Sequence, residues 1–370
     1  MGTNRRKWLK QIGLVAAGIG FARLQTFGAP MPKAGNFPTD TVSDGPIRLS
    51  SNENPYGPSQ MARDAMANTV SISNRYQWQM IKDLVAAIAE KNNLTKENVM
   101  IGAGSIHMLN IIMQYAALQK GNVVVADPTF SSWTEAAEKL GLQKIMVPLK
   151  KDKKNDLTAM LAAIKPDTRM VYVCNPNNPT GTVCSHDSLV SFINEATKHT
   201  LVLVDEAYLD YTNERSVSSL VTVNTNLIVV KTFSKIYGLA GARIGYGLAH
   251  ATTIDKLGQI QFGANIGVSA VSLAGALASL KDDAFVKETF SQNQKIRSLT
   301  IEQMERLNIH CIASSTNFIY FSLADYKKDF FEQLKAYNIE GTEIFEEDGK
   351  WSRITVGSMG EMKKFVEAIK

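Results

Sequence analysis

Lys231-Thr232-Phe233-Ser234-Lys235-Ile236-Tyr237-Gly238-Leu239-Ala240-Gly241-Ala242-Arg243-Ile244-Gly245-Tyr246 is the stretch around which this chain of 370 residues is organised. An apolar run, Leu227-Ile228-Val229-Val230, leads into it and reads as a buried strand. Hydroxyls then bracket Lys235, glycines follow at 238 and 241, and Arg243 closes the segment. Arginine recognises phosphate through a planar, two-pronged fork. Hydroxyls add donors, and glycines permit tight backbone paths. A lysine held near such cations, partly out of water, loses its proton more easily and can form a Schiff base. The stretch therefore has the parts to hold a phosphate beside a reactive amine.

Upstream, the same arrangement of apolar strand and polar loop recurs. Strands are expected over residues 99–101, 122–126, 144–148, 170–174 and 201–204, with helices over 106–118, 131–140 and 186–198. All but the strand over 144–148 run into a polar cluster: Gly102-Ala103-Gly104-Ser105, Asp127-Pro128-Thr129-Phe130, Asn175-Pro176-Asn177-Asn178-Pro179-Thr180-Gly181 and Asp205-Glu206-Ala207-Tyr208. Near-continuous apolar strands joined by helical crossovers predict an α/β fold, a mostly parallel sheet covered by helices. In such sheets ligands bind beyond the carboxyl ends of the strands, where all these clusters lie. After about residue 260 the pattern changes. Helices are expected over 268–280, on to about 307, and over 328–337 and 360–369, with strands at 317–321 and 352–356. That reads as a smaller α+β C-terminal domain. The expected organisation is a large domain over 61–260 and a small one over 261–370.

The N-terminal residues are different in kind. Asn4-Arg5-Arg6-Lys7-Trp8-Leu9-Lys10 precedes a mildly apolar run over residues 12–21 that is too short to span a membrane. Paired arginines before such a run resemble a twin-arginine export signal over residues 1–30. The expected location is periplasmic or membrane-associated, or cytoplasmic if the Arg-Arg pair is fortuitous. Phe27-Gly28-Ala29 lacks the small residue of a clean cleavage site. Residues 31–60 read as a linker followed by an arm. Two prolines and a glycine in Asn52-Glu53-Asn54-Pro55-Tyr56-Gly57-Pro58 forbid a helix or central strand there.

The formal net charge of +5 is concentrated in that N-terminal segment. No basic stripe interleaved with aromatics accompanies it, which argues against nucleic acid as a partner. Cys174, Cys184 and Cys311 have no metal-type spacing, and the five histidines (107, 186, 199, 250 and 310) do not pair at ligand distance, so no metal is expected. Gly102-Ala103-Gly104-Ser105 begins like a dinucleotide fingerprint but has His107 where the third glycine belongs. What remains is a glycine turn entering a helix N-terminus, a phosphate cradle. Ser105, Ser234 and Arg243 could share one phosphate.

Asp205 ends a strand of Leu and Val, where a carboxylate is costly unless paired. It can cap a turn, or it can hold a protonated ring nitrogen. An acid on a pyridinium nitrogen, together with a lysine Schiff base, is the pyridoxal phosphate arrangement. Tyr208 or Asn178 could then meet the ring hydroxyl.

With these residues in order, the chain resembles the class I/II, fold-type I pyridoxal-phosphate-dependent aminotransferases, and within them the histidinol-phosphate aminotransferase branch. The motifs that carry the resemblance run from the Asn52–Pro58 arm through Asn74-Arg75-Tyr76, the Asn175–Gly181 and Asp205–Tyr208 segments and the Ser234–Arg243 loop to Arg353-Ile354-Thr355-Val356-Gly357. The resemblance implies that Lys235 forms the Schiff base and shuttles a proton, that Asp205 pairs with the ring nitrogen, and that Tyr208 and Asn178 meet the ring hydroxyl. It implies Phe130 stacked on the ring, and Ser105, Thr232, Ser234 and Arg243 on the phosphate. Tyr76 would complete the site of a neighbouring subunit in a homodimer. Arg353 would bind the substrate carboxylate and Tyr56 would line the pocket. The partners implied are an amino donor, an amino acid or amino-alcohol phosphate, and a 2-oxo acid acceptor. A decarboxylase or lyase on the same scaffold is the alternative.

Two places depart from the family pattern. Ile106 replaces an acidic or polar residue. Asn338-Ile339-Glu340-Gly341-Thr342, with Glu343, Glu346 and Glu347 after it, stands where the histidinol-phosphate branch carries a phosphate-binding arginine. Acidic residues there would repel a phosphate and favour a neutral or cationic amino acid.

Overall fold

A computed structural model describes residues 45–261 and 263–370; the export-signal reading and most of the linker fall outside them. Twelve strands are found among these residues. They are β1 (Ile47–Arg48), β2 (Val99–Gly102), β3 (Asn122–Asp127), β4 (Gln143–Pro148), β5 (Thr168–Cys174), β6 (Leu201–Asp205), β7 (Leu227–Thr232), β8 (Gly245–Ala249), β9 (Phe318–Ser322), β10 (Ile339–Glu340), β11 (Ile344–Glu346) and β12 (Trp351–Thr355).

Seven strands form the central sheet in the order β2-β8-β7-β6-β5-β3-β4. Only β8 runs antiparallel to its neighbours in it. The apolar runs are continuous because both faces are covered. On β5, Val171 and Val173 enter one buried cluster while Met170, Tyr172 and Cys174 enter the other. Leu201 and Leu203 alternate with Val202 and Val204 on β6 in the same way. Each such side chain contributes roughly 1.5–3 kcal/mol through burial. The expected mostly parallel sheet is therefore present. β8 was not anticipated, because Gly245 and Gly247 dilute its apolar signal. Its glycine has a use: a Cβ on Gly245 would lie 2.4 Å from the Ser105 backbone nitrogen.

The smaller layer is the antiparallel sheet β11-β12-β9, with the parallel pair β1-β10 beside it. Ile47, Leu49 and Tyr56 from the N-terminal arm share its core with Ile319, Phe321, Ile354 and Phe365. The arm is pinned there by a hydrogen bond from the Thr355 N–H to the Leu49 carbonyl, 2.8 Å. Asn54 Nδ2 reaches across to the Ile236 carbonyl at 2.8 Å, so the arm also touches the Lys235 loop. Helix Ala270–Ser279 packs Leu273 and Ala276 into the core of the large sheet, not into that of the small one. The expected helix over 131–140 is two short pieces, Ser131–Thr134 and Ala136–Lys139.

Candidate functional site

The carboxyl ends of β5, β6 and β7 open into a cavity of about 590 Å³, which the arm closes with Ser50, Ser51, Asn52 and Glu53. The register explains the convergence. Cys174 on β5 lies opposite Asp205 on β6, and Asp205 lies opposite Val230 on β7. Three consecutive strand ends therefore deliver Asn178, Asp205, Tyr208 and the Lys235 loop to one space.

One end of the cavity is a cradle for an anion. Ser105 begins helix Ser105–Ala116, and a helix start presents amide donors at its positive end to an anion. Thr232 Oγ1 donates to Ser234 Oγ at 3.0 Å and accepts from the Ser234 N–H at 3.1 Å. Arg243, itself in a left-handed conformation (φ 54°), donates from Nη1 to Ser234 Oγ at 3.4 Å. Gly104 has φ 82°, and a Cβ there would meet Arg243 Nη2 at 2.3 Å. The space between helix start and guanidinium exists because position 104 lacks a side chain.

The middle holds the two reactive groups. Asp205 is buried; its Oδ1 accepts from the Ala207 N–H at 3.0 Å and its Oδ2 from the Tyr172 hydroxyl at 3.1 Å. Burial pushes its carboxyl up to about 6 against those hydrogen bonds. Lys235 Nζ donates to the Ser51 and Asn52 carbonyls, both at 3.2 Å, and stands 5.4 Å from the Tyr208 ring centre. Burial first, then the Arg353 charge, pull its ammonium down to about 8. The Cys174 thiol also lines the cavity, but burial raises it far above physiological pH.

At the far end, Arg353 is buried between the rings of Phe318 and Phe345, 5.4 and 5.2 Å from its Cζ. Its Nη1 donates to Asn178 Oδ1 and its Nη2 to the Ser50 carbonyl, each at 2.6 Å. Both partners are neutral, and Nε has none. Such a group fits a carboxylate brought by a substrate.

Pyridoxal phosphate would fit these residues: the cradle would take its phosphate, Lys235 its aldehyde and Asp205 its ring nitrogen. Sequence comparison decides the point. The family described as "Aminotransferase class I and II" matches residues 44–369. This chain belongs to that family. A histidinol-phosphate aminotransferase of Moorella thermoacetica is 36% identical over 330 residues, covering 88% of this chain and 84% of that protein. An aromatic amino acid aminotransferase of Rhodococcus erythropolis is 34% identical, covering 90% of each. The solved histidinol-phosphate aminotransferase of Sinorhizobium meliloti, in complex with pyridoxal-5'-phosphate, superimposes with a TM-score of 0.79 at 26% identity, covering 87% of this chain and 90% of that one. This aminotransferase therefore uses pyridoxal phosphate to move an amino group between an amino and a keto acid, and the decarboxylase or lyase alternative takes second place.

Ser105, Phe130, Asn178, Asp205, Tyr208, Thr232, Ser234, Lys235, Arg243 and Arg353 all line the cavity of this aminotransferase. Two expected site residues do not. Tyr56 is buried in the core of the smaller layer, in one apolar cluster with Ile47 and Leu49. Tyr76 is 85% exposed and stacks on Trp78, 5.4 Å between centroids. The acidic segment also differs from expectation. Glu346 is ion-paired to Lys153 at 2.8 Å and accepts from the Tyr320 hydroxyl at 2.6 Å, while Glu343 and Glu347 are exposed. None lines the cavity, so the argument from repulsion no longer bears on the substrate.

Sequence reading overlooked Tyr172 and Asn52. A tyrosine inside an apolar strand needs a partner for its hydroxyl, which was the available signal. Asn52 was legible only as part of a polar loop.

Proposed function

We propose that the amino donor is a ring-bearing α-amino acid, and that its carboxylate and that of the 2-oxo acid acceptor occupy Arg353 in turn. The observation that carries this is the buried Arg353 guanidinium with only neutral partners. A buried cation is stable only when compensated, and the missing charge is supplied by substrate. Three cations line the cavity, Lys235, Arg243 and Arg353; the first reacts and the second serves the cradle, which leaves one for substrate. The activities named for both relatives, histidinol phosphate and aromatic amino acids, involve donors with a ring.

When bound, pyridoxal phosphate supplies the electron sink for the pair released at the donor's α-carbon. The side chains do the rest. Asp205, ionised above about pH 6, keeps the ring nitrogen protonated. Lys235 Nζ, half neutral near pH 8, is matched to taking and returning the α-carbon proton. Arg353 orients the donor through its carboxylate.

The test is a donor panel with 2-oxoglutarate: phenylalanine, tyrosine, histidine and histidinol phosphate. The best ring-bearing amino acid is expected to exceed histidinol phosphate in kcat/KM by about tenfold or more. Faster turnover of histidinol phosphate would overturn the assignment.

A homodimer is part of the same reading. Val70, Ile72, Tyr76 and Trp78 are all exposed, an apolar row that suits an interface bringing Tyr76 to the neighbouring cofactor phosphate. Export is supported by Arg5-Arg6 and the short apolar run after it. Among the described residues no helix is long and apolar enough to cross a membrane. Cell fractionation checks export: loss of the protein from the periplasmic and membrane fractions on Arg5→Lys/Arg6→Lys is expected, and an unchanged distribution would sink it.

A further inference from the structure

Asn52 stands where the arm, the smaller sheet and both reactive side chains meet. Its backbone is left-handed (φ 53°), an uncommon conformation for a residue with a side chain. Its N–H donates to Thr355 Oγ1 at 2.9 Å, and that hydroxyl donates back to Asn52 Oδ1 at 3.2 Å. Both groups are buried. Turning the amide over would leave the Thr355 hydroxyl proton without this acceptor, so Oδ1 is committed and Nδ2 faces the other way. There it donates to the Tyr208 oxygen at 3.0 Å.

That direction matters because a phenol has one proton. With its oxygen accepting from Asn52, the proton must point elsewhere, and Tyr208 lines the cavity. Among the described residues the Tyr208 hydroxyl donates to no protein acceptor, and the Asp205 oxygens bond instead to the Ala207 N–H and the Tyr172 hydroxyl. The other groups facing Tyr208 are Arg353 from β12, Cys174 at the end of β5 and Lys235 over the ring. The Asn52 carbonyl, meanwhile, accepts from Lys235 Nζ at 3.2 Å and from Asn317 Nδ2 at 3.0 Å.

We infer that Asn52 is a positioning residue of the reaction: its amide turns the Tyr208 proton into the cavity, toward the ring oxygen of the bound cofactor, and its carbonyl holds the Lys235 amine in place. A donor on that ring oxygen stabilises its anionic form and lowers the pH at which the bound cofactor loses its proton. Thr355 stands two residues from Arg353 on one face of β12, so the strand that anchors the substrate carboxylate also sets this hydrogen bond.

Two variants separate the amide from the backbone. Asn52→Gly keeps the left-handed conformation and the carbonyl but removes the amide. Asn52→Asp reverses the bond, because an aspartate accepts the Tyr208 proton instead of donating. The first readout is a pH titration of the visible absorbance of the cofactor-loaded protein without substrate, so its result is independent of the donor assignment. The midpoint is expected to rise by about one pH unit in Asn52→Asp and by less in Asn52→Gly. The second is kcat, expected to fall about tenfold or more in Asn52→Asp, with the donor KM little changed. In a Tyr208→Phe background either substitution should add nothing. An unshifted midpoint in both variants, or losses that multiply with Tyr208→Phe, would overturn the inference. Asn52→Gly carries the test if Asn52→Asp fails to fold, as judged by its melting temperature.

Discussion

Burial moves the Asp205 carboxyl up to about 6 and the Lys235 ammonium down to about 8. Both shifts make each charged form costly in the cofactor-free protein. For Asp205 the sign follows from proton binding. Between its ordinary value of 3.8 and about 6, the folded state keeps a proton that the unfolded state has released. Stability of the cofactor-free protein therefore falls as pH rises through that window, by about 3 kcal/mol. For Lys235 the unfolded state holds the proton longer, so stability rises with pH between about 8 and 10.5. Cofactor-free Asp205→Asn is expected to unfold at higher denaturant than the parent at pH 7.5, with the difference vanishing near pH 4. Denaturant titration at the two pH values checks it, and an equal difference at both would refute the burial argument. The same substitution should cost at least about a hundredfold in kcat, because a neutral amide cannot hold the ring nitrogen protonated.

At the scale of the element, the cradle depends on how helix Ser105–Ala116 begins. Gly104 is left-handed, and the Cβ position above it is filled by the Arg243 guanidinium. Gly104→Ala strains the turn and displaces the arginine at once. Cofactor affinity is expected to fall about tenfold or more, measured by equilibrium binding, while the chain stays folded. Affinity within a factor of about two of the parent would show that the helix amides alone suffice. Gly238 makes a different point. A Cβ there would lie 2.1 Å from the Gly57 carbonyl oxygen, so this glycine holds the arm against the Lys235 loop and serves packing, not phosphate.

For the whole molecule, the question is how a site built at the end of one sheet becomes complete. The arm enters the small layer through β1 and closes the cavity with Ser50–Glu53, and β12 contributes Arg353. In the proposed homodimer a second copy of the chain would receive the exposed Tyr76. Tyr76→Ala should weaken cofactor binding about tenfold by itself. Co-expressed with Lys235→Ala, which is expected to be inactive alone, it should regain turnover, because the mixed dimer would contain one site with both an intact lysine and a partner tyrosine. Absence of complementation in a verified mixed dimer would refute the shared site.

The sequence by itself determined the parallel sheet and most of the predicted residues that line the cavity. Apolar runs such as 170–174 and 201–204 are buried on both faces, which makes them unmistakable, and the polar clusters that follow them must lie at strand ends. Lys235, Asp205 and Arg243 were legible because their chemistry is local to those clusters. Other features were set only by the tertiary structure. β8 became a strand because its glycines let helix Ser105–Ala116 approach, a requirement invisible in its own composition. Tyr56 went to the core and Glu346 to Lys153 because partners far along the chain were there to receive them. Asn52 acquired its place between Thr355 and Tyr208 from contacts 303 and 156 residues away. Periodicity reports which face of an element is buried; it carries no record of which distant group a buried polar atom will meet.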